Sequence, residues 1–156
     1  HRAKLFACAY DINERHVKYF ELKKLSDEEM TDAVLASAAI PHVYDPVEIE
    51  GHKFADGGIN DPSYGVKNSD VTPLSPLQDE GYDAIIVIHL REQETLDIDH
   101  IGPTRLIHIY PSKPLEQIKG SGTMNFTRSA IRERFAMGYA DMYIALGKLL
   151  MSIIKE

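Results

Sequence analysis

The sequence predicts an α/β fold, and three observations carry that expectation. Apolar runs of strand length recur along the chain, and two late ones, Asp83 to Leu90 and Arg105 to Tyr110, are rich in β-branched residues. A capping box, Ser26-Asp27-Glu28-Glu29, opens a helix among the early runs. From about Asn125 the apolar period becomes helical, with Ile131, Phe135, Tyr139, Met142, Leu146, Leu149 and Ile153 on one stripe. Strands mixed with helices define the class, and pattern alone goes no further.

Taken in order, Lys4 to Tyr10 and His16 to Leu22 are strand-like and flank the turn residues Asp11-Ile12-Asn13-Glu14, so a hairpin is expected. In the helix that follows, Ser26 can accept from the Glu29 N–H while the Glu29 carboxylate reaches back. Acids in its first turn suit the helix dipole. Its apolar face reads Met30, Ala33, Val34, Ser37 and Ala38. Pro41 ends it by pushing Ile40 toward extended geometry. The small residues Ala36 to Ala39 let the helix end approach another backbone closely. A second hairpin is expected from Val47-Glu48-Ile49 and Lys53-Phe54-Ala55 around Glu50-Gly51-His52, with Gly51 at positive φ. Asp56 falls where the returning strand ends, and Gly57-Gly58 follow.

Residues 60–81 read as a long surface connection with one helical turn. The run Ala84 to Ile88 is continuous, which suits a strand covered on both faces of a parallel sheet. The acidic segment Glu92 to Asp99 reads as solvated loop, and Pro111 stops the strand before it. In the last helix, Gly138 and Gly147 each cost about 1 kcal/mol against alanine, and Gly147 is a candidate break. The tail Leu149 to Ile154 is apolar on more than one face. Core or subunit contact is its first reading, and membrane-interface contact its second.

Composition narrows the function. The 156 residues fit one domain or most of one. Acids outnumber bases 24 to 17, for a net charge of −7, which argues against a nucleic-acid partner. A single cysteine, Cys8, excludes an internal disulfide framework and a cysteine-rich zinc site. It fits a reducing compartment, and a cytoplasmic location is the expectation. No signal peptide and no bilayer-length apolar run occurs. His1 is not an initiator methionine and the first strand starts almost at once, so the chain reads as a segment of a longer protein.

Each chemical candidate has a plain structural reading beside it. Asp56-Gly57-Gly58 taken alone is a turn. Ser37 is a small residue on a helix face with nothing beside it to activate it. Ser121, in Gly120-Ser121-Gly122, reads as flexible loop. Cys8 lies in an apolar strand and reads as buried and inert. The seven histidines show no metal-binding spacing, and His89 and His108 read as satisfied structural residues. No EF-hand pattern, no glycine-rich phosphate loop and no G-x-S-x-G elbow occurs, so no metal and no cofactor is expected.

The stretch from Ala36 carries a resemblance. Ala36-Ser37-Ala38-Ala39-Ile40-Pro41, then Tyr44-Asp45-Pro46, then Gly51, then Asp56-Gly57-Gly58 resemble, in that order, the A-S-x-A-x-P, aromatic-x-Pro, hairpin glycine and D-G-G or D-G-A of patatin-like phospholipases. The strand Ala84 to Leu90, the segment Ile107 to Ser112 and Gly138-Tyr139-Ala140-Asp141 agree more loosely. One departure stands out: relatives often place an N-x-P segment further beyond the D-G-G, whereas Asn60-Asp61-Pro62 follows here after only Ile59.

The resemblance implies that residues 1–156 are the C-terminal portion of a single patatin-like domain, of three α/β/α layers with hairpins and a long C-terminal helix. It implies a lipolytic acyl hydrolase with a Ser-Asp dyad, acting on a lipid or other acyl ester. The serine of that dyad would sit in a G-x-S-x-G outside this chain. Only the aspartate maps here, as Asp56, accepting the serine proton with no histidine between. This chain alone would then be inactive. A non-catalytic binding or scaffolding module that kept the fold is the alternative, and acyl transfer in place of hydrolysis is a third. Half a parallel sheet would expose an apolar edge and face, so a partner copy, as in a homo-oligomer, or the tail helix is expected to cover part of it.

Overall fold

The computed structural model describes residues 4–91, 100–115 and 125–154, without the side chains of 152 and 153. It is a mixed α/β structure with two sheets and two α-helices among the described residues. The chain divides into two compact units, His1–Gln78 and Asp79–Glu156.

The first unit is built on a four-stranded antiparallel sheet. Strands β1 (Phe6–Asp11) and β2 (His16–Glu21) form the expected hairpin. Its turn is fixed by Asp11, whose Oδ1 accepts the N–H groups of Asn13 and Glu14 at 2.9 Å each. Strands β3 (Val47–Ile49) and β4 (His52–Asp56) form the second hairpin. Glu50 and Gly51 occupy its turn at φ +53° and +81°, the pair of positive values a two-residue type I′ turn needs. The order is β2-β1-β4-β3, so β4 lies inside the sheet, with Ala9 opposite Asp56.

Helix α1 (Asp27–Ser37) starts at the predicted capping box, with both reciprocal bonds present. It covers one face of the sheet. Ala33 and Ala36 are fully buried there against Ala7, Ala9, Phe20 and Phe54. The expected apolar face needs correction: Val34 is 47% exposed and Ala38 is exposed, while Ala36 and Ala39 turn inward. Small side chains let α1 sit close on the strands, and the larger Val34 lies a step around the helix. The opposite face is covered by the connection after β4, where Val66 joins Tyr10 and Ala55 in a second cluster with Ile12, Val17 and Tyr64 at its edge. Two single 3₁₀ turns, Pro62–Tyr64 and Ser75–Leu77, punctuate that connection.

The second unit holds β5 (Ala84–Ile88), β6 (His100–Ile101), β7 (Thr104–Ile109) and α2 (Arg128–Ile154). Strands β5 and β7 pair in parallel, as their β-branched runs predict, and the short β6, which the sequence did not announce, pairs antiparallel with β7. Burial on both faces of β5 is not found. Ile85 and Val87 are buried, but Ile86 and Ile88 are 47% and 66% exposed. Helix α2 is continuous through Gly138 and Gly147, so Gly147 is no break. It packs on β7. Asp141, 8% exposed, accepts the Ser112 N–H at 3.0 Å. The sequence stripe is not its most buried face: Phe135 and Tyr139 stand out, and Ala130, Met137, Asp141 and Ala145 are more covered. Among the described residues no helix is long and apolar enough to cross a membrane. Ser121 and the segment 92–99 lie outside the described residues.

Candidate active site

Asp56 is the last residue of β4, on the sheet face that α1 covers. Its backbone N–H donates to the Ala39 carbonyl at 3.0 Å. The small helix end makes that contact: Ala36 and Ala39 are almost wholly buried, and a larger side chain would hold the two backbones apart. The Asp56 carboxyl is half-buried, and its Oδ1 accepts the Gly58 N–H at 2.7 Å. Burial raises it above the usual aspartate range, against the opposing pull of that N–H. It forms no ion pair among the described residues, and Oδ2 meets no donor there. A carboxylate in this state is a better base than a solvated one and keeps one oxygen open to a hydroxyl.

The turn beside it is tight. A Cβ on Gly57 would lie 2.5 Å from the Cys8 Sγ and 2.6 Å from the Cys8 carbonyl oxygen, so only glycine fits. Cys8 is therefore not a remote core residue. It is half-buried, and its thiol points at the Gly57 carbonyl from 3.8 Å. Burial, with the Asp70 and Asp56 carboxylates adding, pushes that thiol up to about 12, which favours the protonated thiol over the thiolate.

Four residues that the sequence did not single out sit on the other face of the sheet. Asn68, 3% exposed, donates from Nδ2 to the Gly57 carbonyl and accepts the Asp70 N–H on Oδ1 at 2.8 Å. The Asp70 carboxylate accepts from Tyr19 and from Ser75. Burial, with that bond to Asp70, raises the Tyr19 phenol, so it remains a donor. The signal available for these residues was slight: Asn-x-Asp is an Asx-turn spacing, but in a Pro- and Ser-rich loop it has no periodicity to set it apart.

The other sequence candidates fall elsewhere. Ser37 is half-buried at the end of α1, and its side chain makes no hydrogen bond with Asp56 among the described residues. Asp61, from the early Asn60-Asp61-Pro62, caps the following 3₁₀ turn through Ser63 and meets His42 Nε2 at 3.1 Å. That segment thus leads into an exposed turn before the chain returns to the sheet at Val66. His89 and His108 stack beside Tyr110, with Nε2 and Nδ1 2.8 Å apart. No cluster of three or more metal-ligand side chains occurs among the described residues.

The small-residue helix end and the half-buried aspartate on its glycine turn thus come together in one place, while the hairpin glycine Gly51 lies at the other end of β4. Residues 2–63 match the family model Patatin-like phospholipase. The matched stretch takes in β1 to β4, α1 and Asp56 itself, and every residue of the ordered motif from Ala36 to Gly58. No curated protein matches the chain.

Proposed function

We propose that this chain contributes the general base of a lipolytic acyl hydrolase, and that the base is Asp56. Residues 1–156 are then the C-terminal portion of one patatin-like domain. The nucleophilic serine comes from a G-x-S-x-G outside them, so the chain alone is inactive. The observation that carries this reading is the state of the Asp56 carboxyl: half-buried, raised by that burial, anchored through one oxygen and open at the other, inside the patatin-like stretch.

The chemistry is acyl transfer through the serine. As the serine oxygen bonds to the ester carbonyl carbon, its proton passes to Asp56 Oδ2. The proton goes on to the leaving alcohol as the carbon–oxygen bond breaks, and water then repeats the sequence to free the acid. Serving as base without an intervening histidine requires a pKa nearer the working pH, which desolvation supplies, and a fixed geometry, which the Ala39 and Gly58 contacts supply.

The test is Asp56→Ala in the full-length protein, assayed for release of fatty acid from phospholipid vesicles. Loss of a positioned base lowers turnover by roughly 10²–10⁴-fold, with the fold unchanged by circular dichroism. Retained turnover rejects Asp56. A wild-type protein with no activity on any ester would favour a binding or scaffolding module instead.

A further inference from the structure

We infer that Asn68 is a positioning residue for Asp56, acting through the peptide group that joins Gly57 to Gly58. The inference rests on the reading of Asp56 as the base. A trans peptide is planar, with its C=O and N–H pointing in opposite directions, so holding one end aims the other. Here the two ends of a single peptide are held by different side chains, with the Cys8 thiol a longer, weaker contact on the C=O at 3.8 Å. Its N–H, on Gly58, donates to Asp56 Oδ1 at 2.7 Å. Its C=O, on Gly57, accepts from Asn68 Nδ2.

Neither glycine can fix this plane for itself, since glycine resists few backbone angles. Asn68 can, because it is itself immobilised. It is 3% exposed, and its Oδ1 takes the Asp70 N–H at 2.8 Å, which sets the amide so that Nδ2 faces Gly57. Asp70 is held in turn by Tyr19, on β2, and by Ser75. The relay therefore runs from the far face of the sheet to the carboxylate: Tyr19 and Ser75 to Asp70, Asp70 to Asn68, Asn68 to the Gly57 carbonyl, and the Gly58 N–H to Asp56. Donation to the carbonyl also polarises the amide and strengthens its N–H as a donor.

The experiment uses the full-length protein and p-nitrophenyl butyrate, comparing wild type, Asp56→Ala and Asn68→Leu. Asn68→Leu keeps the branched shape and the number of side-chain heavy atoms, and removes both hydrogen bonds. It lowers kcat about 10–100-fold, as displacing a catalytic group by an ångström or less does, with KM within about twofold of wild type. It also moves the acid limb of the pH dependence of kcat/KM upward, because a carboxylate that loses an N–H donor holds its proton to higher pH. Unchanged kcat and an unmoved acid limb overturn the inference, as does a loss of kcat with the limb in place. Turnover surviving in Asp56→Ala overturns the parent reading, a separate outcome. Should Asn68→Leu fail to fold, Asn68→Ser, too short to reach Gly57 but open to water, carries the same two readouts and the same criteria.

Discussion

In the unit His1–Gln78 the sheet is covered on both sides, by α1 on one face and the chain after β4 on the other, and Ala9, Phe54 and Ala55 have no exposed surface. In the unit Asp79–Glu156 the parallel strand β5 is covered on one side only, and Ile86 and Ile88 are open to solvent. Both regions are written in similar apolar runs. The difference teaches what a rigid site requires: the Asp56 turn is pinned from above by Ala39 and from below by Asn68, which only a sheet closed on both faces can provide.

The largest effect expected is at the centre of the closed sheet. Phe54 is fully buried, edge-on to Phe20 with ring centroids 5.5 Å apart. Phe54→Ala costs about 3–5 kcal/mol in urea unfolding; a cost under about 1 kcal/mol would show that this sheet is no better packed than the other. Next comes the turn. Gly57→Ala forces a methyl onto Cys8 and destabilises by roughly 1–3 kcal/mol, a cost that Cys8→Ala relieves only in part because Cys8 backbone atoms are also in the way. Full rescue by Cys8→Ala would place the whole conflict on the sulfur. The smallest effect sharpens the contrast from the other side. Ile88→Thr changes stability by no more than about 0.5 kcal/mol if that residue is as open as it stands, and a cost above about 1.5 kcal/mol at high protein concentration would reveal a second copy covering it.

Much of the first unit was legible because its signals are local. The capping box Ser26 to Glu29, the Glu50-Gly51 turn and the Asp56-Gly57-Gly58 turn each need only neighbouring residues. The parallel pairing of β5 with β7 followed from their β-branched runs. What was not legible depends on partners far away in sequence. Val34 and Ala36 look alike as apolar helix positions, and only the docked sheet decides that Ala36 goes in. The exposure of Ile88 depends on an element that would have to lie across it. Asn68 and Asp70 carry only an Asx-turn spacing, since their roles are defined by Gly57, ten or more residues back, and by Tyr19 on another strand. Cys8 reads as a core residue until the register brings Gly57 against it.

The account turns on whether Asp56 activates a serine. The measurement is the labelling rate of the full-length protein by a fluorophosphonate, which bonds only to an activated serine, in wild type and in Asp56→Asn. The account predicts stoichiometric labelling of one serine in wild type, slowed at least about 100-fold by Asp56→Asn while thermal unfolding stays close to wild type. Equal labelling rates in the two proteins would contradict it.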